Sequence, residues 1–147
     1  MAIGPQRLHK GAQWILWVQV DKTLGVDEMD VADAWLYAML HGDATLSGLV
    51  NGRIYEGALP EGVDTPYVSY FWQASQDDQK AYGSEVAVLQ YVVQAVDQVE
   101  QGGSYAAIRA ALARVHVLLQ DANGTAAGGT VDACERKALW RMEENPK

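Results

Sequence analysis

Hydrophobic positions along this chain change period several times, and each change marks an element. Residues 14–20 read Trp-Ile-Leu-Trp-Val-Gln-Val, a run with the aromatic and β-branched composition of a strand. Val31, Ala34, Trp35, Ala38 and Met39 then recur at helical spacing. Asp30 is placed to cap this helix, with Asp33 three residues on, because a short acceptor side chain can take a free first-turn amide. Asp27, Glu28, Asp30 and Asp33 crowd that end, where the helix dipole favours negative charge. His41-Gly42 closes the helix. Asp43 opens a shorter one through Leu46, Leu49 and Val50, and Asn51-Gly52 stops it.

Residues 53–66 read as a loop, or a short strand plus a loop. Residues 67–73 alternate, with Val68, Tyr70 and Trp72 on one face and Tyr67, Ser69 and Phe71 on the other. Residues 74–83 are polar and predict a hairpin loop. Residues 85–96 give the strongest strand signal. Ala87, Leu89, Tyr91, Val93 and Ala95 make one face wholly apolar, while Val86, Val88, Gln90, Val92, Gln94 and Val96 make the other mixed. Such a strand belongs in the middle of a sheet. Gly102-Gly103 breaks the chain and Ser104 caps a second long helix. Its stripe is Tyr105, Ile108, Leu112, Val115 and Leu119. Asn123-Gly124 ends it. Residues 131–134 extend, Glu135-Arg136-Lys137 reads as a turn, and residues 138–143 form a last strand in which Trp140 and Met142 alternate.

Helices and strands are grouped apart, which predicts an α+β domain. The expected form is a mainly antiparallel sheet of about four strands with two main helices packed on one face. That domain is expected over residues 30–147. Residues 1–29 stand apart as an N-terminal extension, either an extra strand or an arm that docks on a neighbouring subunit.

Length and composition agree with one domain. The chain has 147 residues and 49% apolar content, enough to bury a core. Nineteen acidic against eleven basic residues give a net charge of -8. That balance lacks the cationic footprint that holds nucleic acid or an anionic membrane surface. It does not exclude a protein that DNA passes without sticking to. Cys134 is the single cysteine, which excludes an intrachain disulfide and fits a reducing compartment such as the cytoplasm. The apolar run at residues 14–18 is too short to span a bilayer, and no export signal is expected.

The residues that could carry chemistry are scattered. His9, His41 and His116 form no ligand pair, so no metal or other cofactor is expected. No serine sits in a G-x-S-x-G turn, and Cys134 reads as a small buried hydrophobe. The acidic pairs Asp77-Asp78 and Glu143-Glu144 read as solvated surface. Gly102-Gly103 lacks the Lys-Ser/Thr of a phosphate loop. No enzymatic activity is expected. Tyr67, Tyr70, Phe71, Trp72, Tyr82 and Tyr91 gather on two strands. Rings on both faces of residues 67–72 make Tyr67, Tyr70 and Trp72 a candidate subunit interface, since aromatics are enriched at interface cores.

One stretch carries a likeness. A short helix ends in Asn51-Gly52, Arg53-Ile54-Tyr55 follows, a loop holds Pro60 and Gly62, and Pro66-Tyr67-Val68 opens a strand. A long strand, a second helix and a C-terminal hairpin come after. This order, over roughly residues 30–142, resembles the tail-completion or tail-terminator family of long-tailed bacteriophages. The resemblance implies a virion protein, made in the host cytoplasm, that assembles as a homohexameric ring on the finished tail tube. The ring would stop tail polymerisation and offer a docking surface to the head–tail connector protein, while DNA passes through its lumen. Gln76, Asp77, Asp78, Gln79 and Lys80 are the candidate segment for contact with the major tail tube protein or the lumen. A neck or head-closure protein is the nearest alternative, and a non-viral acidic adaptor or ligand-binding domain the more distant one.

Overall fold

The computed structural model describes residues 7–23, 26–79, 84–100 and 105–144. The two-faced strand expected near residues 85–96 is β4 (Ser84–Glu100), and it does lie inside the sheet. One neighbour is β3 (Tyr67–Gln79); the other is β1 (Arg7–Thr23). β1 is paired on its far side with β6 (Gly129–Glu144). Short strands lie outside these: β2 (Ile54–Glu56) runs parallel to β3, and β5 (Gly124–Ala126) runs antiparallel to β6. The sheet is six-stranded and mixed, in the order β2-β3-β4-β1-β6-β5. The α+β class stands. The expected sheet of about four antiparallel strands left out β1 and divided β6 at residues 135–137, and the three-residue β5 is too short to carry a periodic signal.

Of the readings open for the N-terminal segment, the extra strand is the one the structure describes. Residues 7–23 are no appendage to this sheet: β1 is one of its central strands, hydrogen-bonded on both sides along nearly its whole length. Ala12, Trp14, Leu16, Val18 and Val20 enter the main core, and Ile15 is buried on the opposite face. With Ile15 buried on the second face as well, β1 reads over residues 14–18 as a continuous apolar run, as interior strands do.

The helices are α1 (Glu28–His41), α2 (Ala44–Leu49) and α3 (Ala106–Leu119). Asp27, not Asp30, caps α1, its side chain accepting from the Met29 amide at 2.8 Å. Both aspartates suit the site chemically; where the chain leaves extended geometry decides between them. Ser104, expected to cap α3, lies outside the described residues. Val31, Ala32, Trp35, Leu36 and Leu40 of α1 pack with Ile108, Ala111, Leu112, Val115 and Leu119 of α3 on one face of the sheet. They meet Val68 and Tyr70 of β3, Leu89, Tyr91 and Val93 of β4, and Val131 and Cys134 of β6. α1 sits so close to the β5–β6 hairpin that two glycines are required there. A Cβ at Gly124 would fall 2.8 Å from Trp35 Nε1, and one at Gly129 2.7 Å from a Val31 methyl.

Two further expectations change. The polar stretch after residue 74 is largely strand: β3 runs to Gln79 and pairs with β4 down to Glu85. Polar side chains on an outlying hairpin are compatible with strand, and the cross-strand ladder, a non-local feature, supplies the order. Glu135-Arg136-Lys137 is no turn either. β6 continues through it, and Lys137 is the extra residue where Leu16 pairs with Arg136 and Ile15 with Ala138. A bulge and a turn draw on the same polar residues. The expected alternation of Trp140 and Met142 concerns side chains outside the described set.

Asp43 ties the small helix to α3. It caps α2 through the Leu46 amide at 2.8 Å and pairs with Arg114 at 2.7 and 2.9 Å. The Arg114 guanidinium holds the Asp43 carboxyl down from 3.8 to about 2. A depressed carboxylate stabilises the fold above its unfolded pKa and stops doing so as pH falls through the folded one. Asp43→Asn is therefore expected to lower the melting temperature at neutral pH and to flatten its decline between about pH 4 and pH 2. Melting curves across that range check this. Identical acid limbs in variant and parent would show that the pair contributes nothing.

Candidate functional site

The aromatic strands set out three different surroundings for the expected interface residues. Tyr70 points into the main core and is fully buried within its own subunit, so it has no surface to offer a neighbour. Tyr67 is nearly buried on the opposite face. Trp72 is 41% exposed, at the point where β3 slips register against β4. The helix-bearing face takes Val68 and Tyr70 as alternation predicts. The bulge between Trp72 and Ala74 then changes the alternation, which sequence spacing does not reveal.

A further exposed ring, Trp17, was not among the expected site residues. It stands 45% exposed on the face of the sheet opposite the helices, paired with Gln90 and Glu135. Trp17, Ala74, Ser75, Val88 and Gln90 line a shallow groove of about 270 Å³. The Gln90 amide donates to Gln73 at 2.8 Å across its edge. The signal for Trp17 was its odd position in a run whose even positions are core. It could be read only once β1 was known to lie within the sheet.

Two polar clusters sit on the helix side. In the first, the Tyr91 hydroxyl donates to Asp33, joining the middle of β4 to α1. Glu56 lies near them, and its carboxyl is raised by burial and by the Asp33 charge. Tyr37 stacks on His41 with ring centroids 4.0 Å apart, and His41 meets the edge of Tyr70 at 6.2 Å. Burial lowers the His41 pKa. In the second cluster, Ala12, Trp14, Tyr105, Arg109, Leu112, Ala113 and Arg136 line a pocket of about 260 Å³ between α3 and the sheet. The Arg136 guanidinium lies 4.9 Å over the Trp14 ring, and Lys10 Nζ lies 5.1 Å over Tyr105. His116 meets the Trp14 ring edge-on at 5.4 Å. These contacts are cation–π and edge-to-face packing that close one end of the core.

Neither cluster assembles a nucleophile with a base and an orienting partner. Among the described residues no group of three His, Cys, Asp or Glu is placed to hold a metal ion. Cys134 is buried, and burial pushes its thiol up to about 12, so the thiol stays protonated in its apolar site. Among the described residues no helix is long and apolar enough to cross a membrane. Asp77, Asp78, Gln76 and Gln79 lie in the outer half of the β3–β4 hairpin, and Lys80 lies outside the described residues.

Arg53 is given a clear task by the geometry. Its guanidinium donates to the carbonyls of Thr65 at 2.9 Å and Pro66 at 3.0 Å. The Val68 amide donates back to the Arg53 carbonyl at 2.9 Å. The Arg-Ile-Tyr and Pro-Tyr-Val segments are thus held side by side as β2 and the start of β3.

A family model described as Tail completion protein gp17 matches residues 34–146. That span runs from the second turn of α1 nearly to the C-terminus and includes the Arg53 clamp. No curated protein and no solved structure matches the chain.

Proposed function

The chain belongs to the tail completion protein family of bacteriophages, and from that premise we propose that it is the ring that closes the finished tail tube. Membership makes it a structural component of the phage tail. The finer reading is that copies assemble head to tail into a closed six-fold ring on the last tier of the major tail tube protein. There the ring ends polymerisation and presents its other side to the head–tail connector.

Family membership is the observation that carries this reading, because the chain's own residues point to geometry rather than chemistry. A heterologous interface closes into a ring whenever the rotation per subunit divides the circle, and no reacting group is needed. The net charge of -8 suits a lumen through which DNA slides, since like charge does not retain the phosphates. Trp72 and Trp17, both exposed and both on the sheet, are assigned to contact between copies. The outer hairpin segment Gln76, Asp77, Asp78, Gln79 and Lys80 is assigned to the tube or the lumen.

Electron microscopy of lysates from a phage lacking this gene tests the reading. Overlong, variable tails beside separate full heads are the expected result. Tails of normal length beside unjoined heads would move the protein to the neck. Intact infectious particles would overturn the reading. Complementing the same phage with a chain whose β3–β4 hairpin is shortened by residues 76–83 tests the contact segment: normal capping would remove it from that role.

A further inference from the structure

The sheet ends in two strands that are each covered along only part of their outer edge. On one side β2 pairs with β3 at Val68, Ser69 and Tyr70, and the Gly57 amide donates to the Tyr70 carbonyl at 2.9 Å. Among the described residues, β4 is the only strand paired with β3 from residue 71 to 79. On the other side β5 pairs with β6 only at Gly129, Thr130 and Val131. Beyond that the Asp121 amide donates to the Cys134 carbonyl at 2.9 Å, and the Arg136 amide donates to the Gln120 side chain at 3.1 Å. Among the described residues, β1 is likewise the only strand paired with β6 from residue 137 to 144. Two open stretches of similar length therefore lie at opposite ends of one sheet. A row of backbone donors and acceptors with nothing beside it is a template for another strand.

The directions match. β3 is antiparallel to β4, β4 to β1, and β1 to β6, so β3 and β6 point opposite ways. Two copies set side by side in the same orientation bring β6 of one against β3 of the next as an antiparallel pair. The charges match as well. Residues 71–79 contain Asp77 and Asp78 and no cation, while Arg136 and Lys137 stand where the open part of β6 begins. Antiparallel pairing end to end brings the start of one stretch to the finish of the other, so Arg136 and Lys137 come beside Asp77 and Asp78. Opposite charges across neighbouring strands favour that register and disfavour others. The same pairing offsets each copy along the strand direction, which is the stagger a sheet needs to close on itself.

We propose that copies of this chain join by strand addition, the open edge of β6 in one subunit pairing with the open edge of β3 in the next, so that the sheets form one continuous belt. This rests on the ring reading and names the surfaces that make the ring. Each strand alternates its side chains, so the hairpin can give its backbone edge to a neighbour and its faces to the tube or the lumen.

The test uses full-length protein added to tail tubes from a phage lacking the gene, with ring formation read by sedimentation and negative-stain microscopy. One variant carries Asp77→Lys and Asp78→Lys; the other carries Arg136→Glu and Lys137→Glu. Each alone sets like charges across every interface, and each is expected to stay monomeric and leave the tube ends bare while melting as a folded protein. Mixed in equal amounts they can alternate, which restores opposite charges at every contact, and rings are expected to return. Rings from either folded variant alone, or none from the mixture of two folded variants, would overturn the proposal and leave the edge charges as guards against aggregation. Should a reversal unfold the chain, Asp77→Asn with Asp78→Asn replaces it, and is expected to raise the concentration for half-assembly at least threefold; no change would count against the proposal. A parent protein that never forms rings on tubes would instead remove the ring reading, and this inference with it.

Discussion

Deleting residues 1–23 is expected to abolish folding, not to trim an arm from a stable domain. β1 is hydrogen-bonded to β4 on one side and β6 on the other, so its loss leaves two interior edges bare. It also removes Trp14, Ile15, Leu16, Val18 and Val20 from the buried set. Each large apolar side chain is worth about 1.5–3 kcal/mol when fully buried. Several together match or exceed the whole stability of an ordinary domain, about 5–15 kcal/mol. Far-UV circular dichroism and thermal melting of the truncated protein check this. A cooperative melt near that of the full chain would mean that β4 and β6 can pair directly and that β1 is dispensable. The outcome matters for the family relation, because the matched span begins at residue 34, after β1. The features that mark the family and the strand at the centre of this sheet lie in different parts of the chain.

Tyr91→Ala is expected to cost about 3–5 kcal/mol, the range for removing a fully buried aromatic ring from a core. Tyr91 stands mid-way along β4 with no exposed surface, and its ring belongs to the main core. Its hydroxyl adds a second effect by donating to Asp33 on α1, which ties helix to sheet. Tyr91→Phe keeps the ring and strands a part-buried carboxylate, with an expected cost of about 1–3 kcal/mol. Urea denaturation of both variants separates the two contributions. If Phe and Ala cost the same, the hydroxyl carries the effect and the core has relaxed around the missing ring. If Phe costs nothing, water replaces the hydroxyl at Asp33 and the link between α1 and β4 is packing alone. Asp33→Asn in the Tyr91→Phe background should then add little, since both changes remove one interaction.

Much of the local structure was legible from the order of residues. α1 and α3 carry apolar stripes long enough to exclude a strand, and Asp43 and Asn51-Gly52 bound α2 by their side-chain and backbone chemistry. β4 announced an interior position because both of its faces hold apolar residues. The site was less legible. Tyr70 and Trp72 look equivalent in an alternating strand, yet one is core and the other surface, and the register slip between Trp72 and Ala74 separates them. Trp17 holds an odd position in a run whose even positions are core, but the apolar residues on either side of it hide that alternation.

By itself the sequence determined the α+β class, the two amphipathic helices, the stops at Gly42 and Asn51-Gly52 and the likeness to phage tail-completion proteins, while α3 ends at Leu119, ahead of the expected stop at Asn123-Gly124. Each of these rests on residues close together in the chain, or on their order. Only the tertiary structure decided that residues 7–23 form a central strand, that residues 135–137 bulge rather than turn, and that β3 and β6 keep open edges. The reason is that strand neighbours are chosen across the whole chain. An apolar strand reads the same at an edge or at the centre, and its place is set by which ladders close around one shared core.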